Sequence, residues 1–309
     1  PTVVVIVGAP GEREYGEAFD GWAARWEKAV EEGGAKCLRV DHREANEEDD
    51  LHHLEAILAA EPRQSVEPLW LILLGHGTFD GQAAKFNLRG PDISAASLAA
   101  WLEPFERPLV VVNCASSSGP FVNRLSAPDR VVLTATKSGF EHNYARFGDY
   151  LSEAVADPAA DLDKDHPTSV LEAFLWASGR VAEFYRQDAR LATETALIDD
   201  NGDGLGTPAA WFRGVRAARR ARDGASPDGS RARQLHLVPS PAERALPPDV
   251  RARRDELEQA VTRLRDAKNE DTNEDDYYAE LEPLLIELAR LYATLEDPDS
   301  PSEASPSTP

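Results

Sequence analysis

The stretch 109-LVVVNCASSSGPFVNRL-125 decides the fold of this chain, because it joins an apolar strand to a cluster of reactive side chains. Four apolar residues in a row, three of them β-branched, are typical of a strand that is covered on both faces. One thiol, three hydroxyl groups and a glycine lie close behind them. Because ligands of parallel sheets bind beyond the carboxyl ends of the strands, this cluster indicates the edge of a ligand site.

Other short apolar runs resemble this strand, at residues 3–7, 69–74 and 131–134. Helix-like stretches lie between and after them, at residues 18–32, 51–60, 95–102, 147–156, 168–187 and 207–223. Continuous apolar strands that alternate with helices predict a mainly parallel sheet with helices on both faces. The fold class that we expect is α/β, as a three-layer α/β/α sandwich over residues 1–222.

The composition changes after this expected domain. Residues 223–249 are rich in Pro, Ser, Gly and Asp, which is typical of a linker. Two amphipathic stretches on either side of the polar break NEDTNEDD then predict an antiparallel helical hairpin over residues 250–296. The apolar stripes of the hairpin could pack against each other or bind a partner protein. We expect the acidic, Pro- and Ser-rich tail 297–309 to be disordered.

The net charge of −22 at pH 7 argues against several classes of partner. Nucleic acid would be repelled by this chain, and an anionic membrane surface is disfavoured for the same reason. No apolar run is long enough to span a bilayer, and two cysteines imply no disulfide framework. The sequence predicts a soluble protein, and it leaves open the cytoplasm or export after removal of a leader.

A second reactive segment, Gly75-His76-Gly77, follows the apolar run 69–74. The imidazole of His76 can take or give a proton near neutral pH. The flanking glycines leave the backbone accessible, so the N–H group of Gly77 could donate to an oxyanion. Either motif alone is explained by a turn or a helix cap. Two of them at the ends of strands of one sheet favour a catalytic site.

Segments in the same order resemble the legumain (asparaginyl endopeptidase) family, within the caspase-like group of cysteine peptidases. The matching segments are LLGHGTFDGQAAKFNLRGPDISAASLAAWL, VVVNCASSSGPFVNRL and VVLTATKSGFEHNYARFGDYL. The resemblance covers about residues 3–212 and implies a caspase/hemoglobinase-like fold with peptidase activity. In this group one strand ends in His-Gly and a later strand ends in a nucleophilic Cys.

The resemblance also implies roles for single residues. Counting back from Gly119 in the stretch 115-ASSSG-119 places Ser116 at the nucleophile position, where the family has Cys. His76 would then be the base, and the N–H groups of Gly77 and Ser116 would form the oxyanion hole. Ser117 stands where legumain has an acidic residue of its specificity pocket. The family also has an Arg in the loop after the first strand, but here Gly16 lies nearest to the matching position. A preference for Asn therefore does not follow.

Three hypotheses for the site stay open, because thiols and hydroxyl groups differ in their need for a base. A thiolate attacks readily by itself, whereas a serine hydroxyl needs a base in hydrogen-bond contact. Ser116 could act with His76, Cys114 could replace it through a shift of register, or the site could be inactive. The active forms would be a peptidase-like hydrolase that cleaves a peptide or protein substrate by acyl transfer, with no cofactor required for the chemistry. The inactive form would be a pseudopeptidase that binds or scaffolds peptides.

Two acidic loops have the spacing of calcium ligands in an EF-hand. The first, 161-DLDKDHPTSVLE-172, offers oxygens at positions 1, 3, 5, 9 and 12 from Asp161, Asp163, Asp165, Ser169 and Glu172. The second, 199-DDNGDGLG-206, offers positions 1, 3 and 5 from Asp199, Asn201 and Asp203. Either loop could hold a structural Ca²⁺, or could simply cap helices and turns.

Overall fold

The computed structural model describes residues 1–41, 49–164, 167–222, 225–268 and 272–296. The chain divides into two compact units, Pro1–Ser240 and Pro241–Pro309. Among the described helices, none is both long and apolar enough to cross a membrane.

The first unit is built around a β-sheet. The described strands of this unit form three sheets. In chain order they are β1 (Thr2–Val7), β2 (Lys36–Val40), β3 (Leu69–Leu74), β4 (Gly77–Phe79), β5 (Ala84–Phe86), β6 (Ile93–Ser94), β7 (Leu109–Asn113), β8 (Arg130–Thr134), β9 (Leu197–Asp199), β10 (Thr207–Pro208), β11 (Phe212–Arg213) and β12 (Arg216–Ala217). The central sheet has seven strands in the order β10-β9-β8-β7-β3-β1-β2. Strands β2, β1, β3, β7 and β8 are parallel, and β9 and β10 pair antiparallel at one edge.

Helices cover both faces of this sheet. They are α1 (Arg13–Glu32), α2 (Asp50–Ala60), α3 (Ala95–Leu102), α4 (Pro120–Leu125), α5 (Phe147–Ala154) and α6 (Val170–Gln187). Apolar side chains of α1, α5 and α6 pack on one face, and those of α2, α3 and α4 pack on the other. Every residue of β1, β3, β7 and β8 is therefore buried. The predicted three-layer sandwich with a mainly parallel sheet is confirmed.

The helix expected over residues 207–223 is wrong. Strand β10 pairs with β9, a short 3₁₀ turn follows at Ala209–Trp211, and β11 and β12 form a hairpin. Gly214 turns this hairpin with a φ of 57°, a left-handed conformation that glycine adopts without strain. Pairing with β9 and the tight turn outweigh the helix propensity of the alanines and arginines in this stretch.

Residues 225–240 belong to the first unit, although the sequence placed them in a linker over 223–249. Ala232 and Leu237 are buried in the core beside α6. The difference arises because two apolar side chains are enough to anchor a segment that is polar on average. Residues 223 and 224 lie outside the described part of the chain.

A pair of buried carboxylates ties this segment to the loop after β9. Asp228 accepts hydrogen bonds from the backbone N–H groups of Asp200 and Asn201 at 3.0 and 3.3 Å. Asp200 accepts in return from the N–H groups of Gly229, Arg231 and Ala232 at 2.8–2.9 Å. Burial and the neighbouring charge of Asp200 raise the pKa of Asp228 to about 8. These contacts join side chains to backbone, so no composition pattern reveals them.

The second unit consists of α7 (Pro241–Ala245), α8 (Pro248–Ala267) and α9 (Glu274–Glu296). Val261 of α8 is buried against Tyr277 and Leu281 of α9. Arg253 binds both carboxylate oxygens of Glu287 at 2.7 and 2.9 Å. These pairs run in opposite directions along the two helices, as expected for an antiparallel hairpin. The tail 297–309 lies outside the described residues.

Candidate functional site

The segments after β3 and β7 meet at one edge of the sheet. The two strands are parallel neighbours, with Leu73 opposite Asn113. A Cβ atom placed on Gly77 would lie 2.3 Å from the carbonyl oxygen of Ser116. Only a glycine permits this approach, so Gly77 brings the His-Gly segment and the serine cluster into contact.

The hydroxyl group of Ser116 binds the backbone of Gly77 in two ways. Its Oγ donates to the carbonyl oxygen at 3.1 Å and accepts from the N–H group at 3.4 Å. Among the described strands, β4 pairs with β5 alone, and the His76 carbonyl accepts from the Asn87 N–H on that side. Because backbone groups alternate in direction along a strand, those of Gly77 point to the free edge. The Ser116 hydroxyl therefore occupies the edge of β4 beside His76.

The ring of His76 is oriented by a backbone carbonyl. Its Nε2 lies 3.2 Å from the carbonyl oxygen of Pro10. A carbonyl can only accept, so Nε2 carries the proton and Nδ1 carries the lone pair of the neutral ring. Burial lowers the pKa of His76 below its usual value, and the bond to Pro10 offsets part of this effect. The ring is consequently a neutral base near neutral pH.

Aromatic side chains surround this imidazole. The ring centroids of Tyr15, Phe19 and Tyr144 lie 4.8, 5.0 and 6.2 Å from that of His76. Tyr15 and Phe19 are four residues apart on α1, a spacing from which their shared face could have been predicted. The Pro10 carbonyl is a backbone group and leaves no signal in the sequence.

Cys114 lies in a different environment. Its N–H group donates to the carbonyl of Leu73 at 2.9 Å, so the chain is still extended there. The side chain continues the alternation of β7 and packs with Val112 in the core beneath α1 and α5. Cys114 is 1% exposed, and a Cβ atom placed on Gly148 of α5 would lie 2.7 Å from the Cβ atom of Cys114. Burial, together with the charge of Glu194, raises the pKa of the thiol.

The structure thus brings Gly77, the neighbour of His76 in the chain, into contact with Ser116 and packs the side chain of Cys114 in the core. Within the described residues, no hydrogen bond joins His76 to Ser116.

A serine–histidine contact lies beside this site and was not expected from the sequence. Ser117 Oγ is 3.1 Å from Nδ1 of His142, and the Ser117 N–H donates to the carbonyl of Glu141 at 2.9 Å. Ser117 has a φ of 55°, which is uncommon for a residue with a side chain. The turn after β7 is therefore held on both sides, by β4 and by the segment after β8.

The first acidic loop gathers three carboxylates, from Asp161, Asp163 and Glu172. Both oxygens of Glu172 already accept hydrogen bonds, from Leu162 N, Asp163 N, Ser169 N and Ser169 Oγ at 2.7–3.1 Å. This contact to Ser169 is a capping box at the start of α6. Asp163 also pairs with Arg233 at 2.9 Å. The predicted ligand Asp165 lies outside the described residues.

The second acidic loop, 199–206, leaves β9 directly. Asn201 Oδ1 accepts from the N–H of Asp203 at 2.8 Å, and Asp203 Oδ1 accepts from that of Leu205 at 2.8 Å. Asp199 Oδ1 accepts from the N–H of Gly202 at 3.2 Å. The three predicted ligands are therefore on one folded loop, with their side chains bonded to its backbone.

No family model matches the chain, and no curated protein matches it significantly. Among solved structures it is similar to the Drosophila initiator caspase Dronc, with 15% identity over 66% of this chain and 81% of that chain and a TM-score of 0.46. It is also similar to Raptor from Chaetomium thermophilum, with 10% identity over 52% of this chain and 18% of that one and a TM-score of 0.36. Protein GSU0716 from Geobacter sulfurreducens has 12% identity over 58% of this chain and 89% of that chain, with a TM-score of 0.35. At these values neither a family nor an activity follows from the comparisons.

Proposed function

We propose that the unit Pro1–Ser240 is a peptidase-like hydrolase that cleaves peptide bonds by acyl transfer. One observation carries this proposal: Ser116 Oγ lies 3.4 Å from the backbone nitrogen of Gly77, the residue that follows His76, whose Nδ1 bears a lone pair. This arrangement provides a hydroxyl group, a base and an oxyanion donor within one short stretch of the sheet edge. The order of the segments that resemble legumains and caspases supports the same reading.

In this mechanism the Ser116 hydroxyl leaves the Gly77 carbonyl and gives its proton to Nδ1 of His76. Its oxygen attacks the substrate carbonyl carbon, and the oxyanion that forms accepts from the Gly77 N–H. His76 then donates the proton to the leaving amine. A water molecule, deprotonated by His76, hydrolyses the acyl-serine and restores the hydroxyl group. The Pro10 carbonyl stabilises the ring during both proton transfers.

Cys114 has no part in this proposal. Its side chain packs among core residues, and burial raises the pKa of the thiol, which disfavours the thiolate that would attack. Preference for Asn is not proposed either, because Ser117 binds His142 and carries no charge.

The second candidate is a pseudopeptidase that binds peptides without cleaving them. It is favoured by the direction of the Ser116 hydroxyl, which donates to Gly77 O at 3.1 Å and not to His76. A serine without a hydrogen-bonded base is a weak nucleophile. An extended peptide that displaces the Ser116 hydroxyl could then pair with this edge of β4 (Gly77–Phe79) through main-chain hydrogen bonds.

Labelling with a fluorophosphonate separates the two candidates. For the hydrolase we expect an adduct on Ser116, located by mass spectrometry, that is lost in Ser116→Ala and in His76→Ala. His142→Ala is the matched control, because its imidazole contacts Ser117 and not Ser116. An unlabelled Ser116, or an adduct that persists in His76→Ala, would exclude the hydrolase and favour the pseudopeptidase.

A further inference from the structure

The loop after β9 contains two carboxylate oxygens that are buried and lack a hydrogen-bond donor among the described residues. They are Oδ2 of Asp199 and Oδ2 of Asp203. The whole Asp199 residue is only 1% exposed. A buried carboxylate oxygen without a donor is costly, so native proteins supply such an atom with a partner.

The rest of the loop does not supply that partner. Asp199 Oδ1 accepts from Ser126 Oγ at 3.1 Å, while Asp203 Oδ1 accepts from the Leu205 N–H. Arg222 donates to the backbone carbonyl of Asp203 at 3.3 Å and not to its carboxylate. A cation bound to Oδ2 of Asp199 and Oδ2 of Asp203 would remove this cost.

We propose that the loop 199–205 binds Ca²⁺ through the free carboxylate oxygens of Asp199 and Asp203 and the amide oxygen of Asn201. These are positions 1, 3 and 5 of a calcium loop, and the Leu205 carbonyl stands at position 7. Oxygen ligands of this kind suit a hard cation. Ala210 stands at position 12, so no bidentate Glu completes the set. The expected Kd is therefore weak, about 10⁻⁴–10⁻³ M.

The first acidic loop makes a suitable comparison, because several of its carboxylate oxygens already have partners. Glu172 accepts four hydrogen bonds, and Asp163 pairs with Arg233. Oδ1 of Asp163 nevertheless lacks a hydrogen-bond donor among the described residues as well. Removal of this carboxylate therefore tests which of the two loops the cation occupies.

Bound calcium would also stabilise the turn that carries Ser116. Asn123 of α4 donates to the carbonyl of Gly204 at 2.7 Å, and the Gly204 N–H donates to Ser126 Oγ at 2.9 Å. Helix α4 starts at Pro120, shortly after the serine cluster. Ordering of the loop therefore fixes the contacts of Asn123 and Ser126, which hold the C-terminal half of α4 behind this turn. The inference does not depend on whether Ser116 is catalytic.

Thermal unfolding of the full chain with CaCl₂ and with EDTA tests the proposal, with isothermal titration calorimetry as a second readout. At a calcium concentration about tenfold above the Kd we expect the Tm to rise by about 2–4 °C. The double variant Asp199→Asn/Asp203→Asn should lose the Tm rise and the calorimetric heat. Asn retains an oxygen acceptor for Ser126 and Leu205, so we expect this variant to fold in EDTA.

Asp163→Asn is the matched control, since it removes one carboxylate from the comparison loop. This variant should bind calcium like the unchanged protein. A Tm and a titration that do not respond to millimolar Ca²⁺ would overturn the proposal. So would an undiminished response in the double variant, or a response abolished by Asp163→Asn.

Discussion

Cys114 and Ser116 are two residues apart, but their side chains lie in separate environments. The thiol is packed in the core against α5, whereas the hydroxyl group binds both backbone groups of Gly77 at the edge of β4. Strand β7 ends at Asn113, just before these two residues, and Ser117 follows them with a left-handed φ of 55°. This change of direction is the reason that we assign the chemistry to the hydroxyl group.

The reactivity of the two thiols tests this separation. Cys37 is exposed and Cys114 is buried. With a thiol reagent such as DTNB we expect one thiol to react in the native protein and both to react in denaturant. Cys37→Ser should leave no fast-reacting thiol. Rapid native labelling of Cys114 would contradict the buried position.

The pH dependence of fluorophosphonate labelling tests the role of His76. The base must be neutral, and burial lowers its pKa below the usual value near 6.5. The labelling rate should stay constant as the pH falls through neutrality and should decrease only below pH ~6.5. A midpoint above that value would show that His76 is not the titrating base.

Replacement of glycine by alanine at two positions tests the close contact at the site. In Gly77→Ala the new Cβ would lie 2.3 Å from Ser116 O, so we expect the free energy of unfolding to fall by about 1–3 kcal/mol. Gly21 lies in α1 with no atom within 4 Å of such a Cβ. Gly21→Ala should therefore raise stability by about 0.5–1 kcal/mol, because alanine favours helix. Urea unfolding measures the change in stability of both variants. Equal changes for Gly77→Ala and Gly21→Ala would argue against the close contact between Gly77 and Ser116.

The helical hairpin should depend on a few apolar residues. Leu281 is 8% exposed in the small core with Val261 and Tyr277, whereas Leu285 is 39% exposed. We expect Leu281→Ala to cost about 2–3 kcal/mol and Leu285→Ala to have little effect. Limited proteolysis of the full chain, with cleavage mapped to 241–296, measures the difference. Similar cleavage rates for the two variants would contradict this packing.

The strands of the sheet could be predicted because their signal is local. Runs such as 69–74 and 109–112 are apolar throughout, and only strands covered on both faces need that pattern. The helix predicted over 207–223 failed because Thr207 and Pro208 pair with the preceding strand β9, and residues 212–217 form a hairpin of their own. The segment 225–240 likewise joins the first unit through Ala232, Leu237 and buried carboxylates. Such long-range contacts override local composition.

The sequence by itself determined the α/β/α class, the residues that end β3 and β7, and the acidic loop after β9. Periodicity and spacing act over a few residues, so they can be read along the chain. Only the tertiary structure decided which side chains meet at the sheet edge. It buried Cys114, oriented His76 with the Pro10 carbonyl, and bound Ser116 to Gly77. These results depend on the direction of each side chain after its strand ends, and that direction is set by packing between segments far apart in sequence.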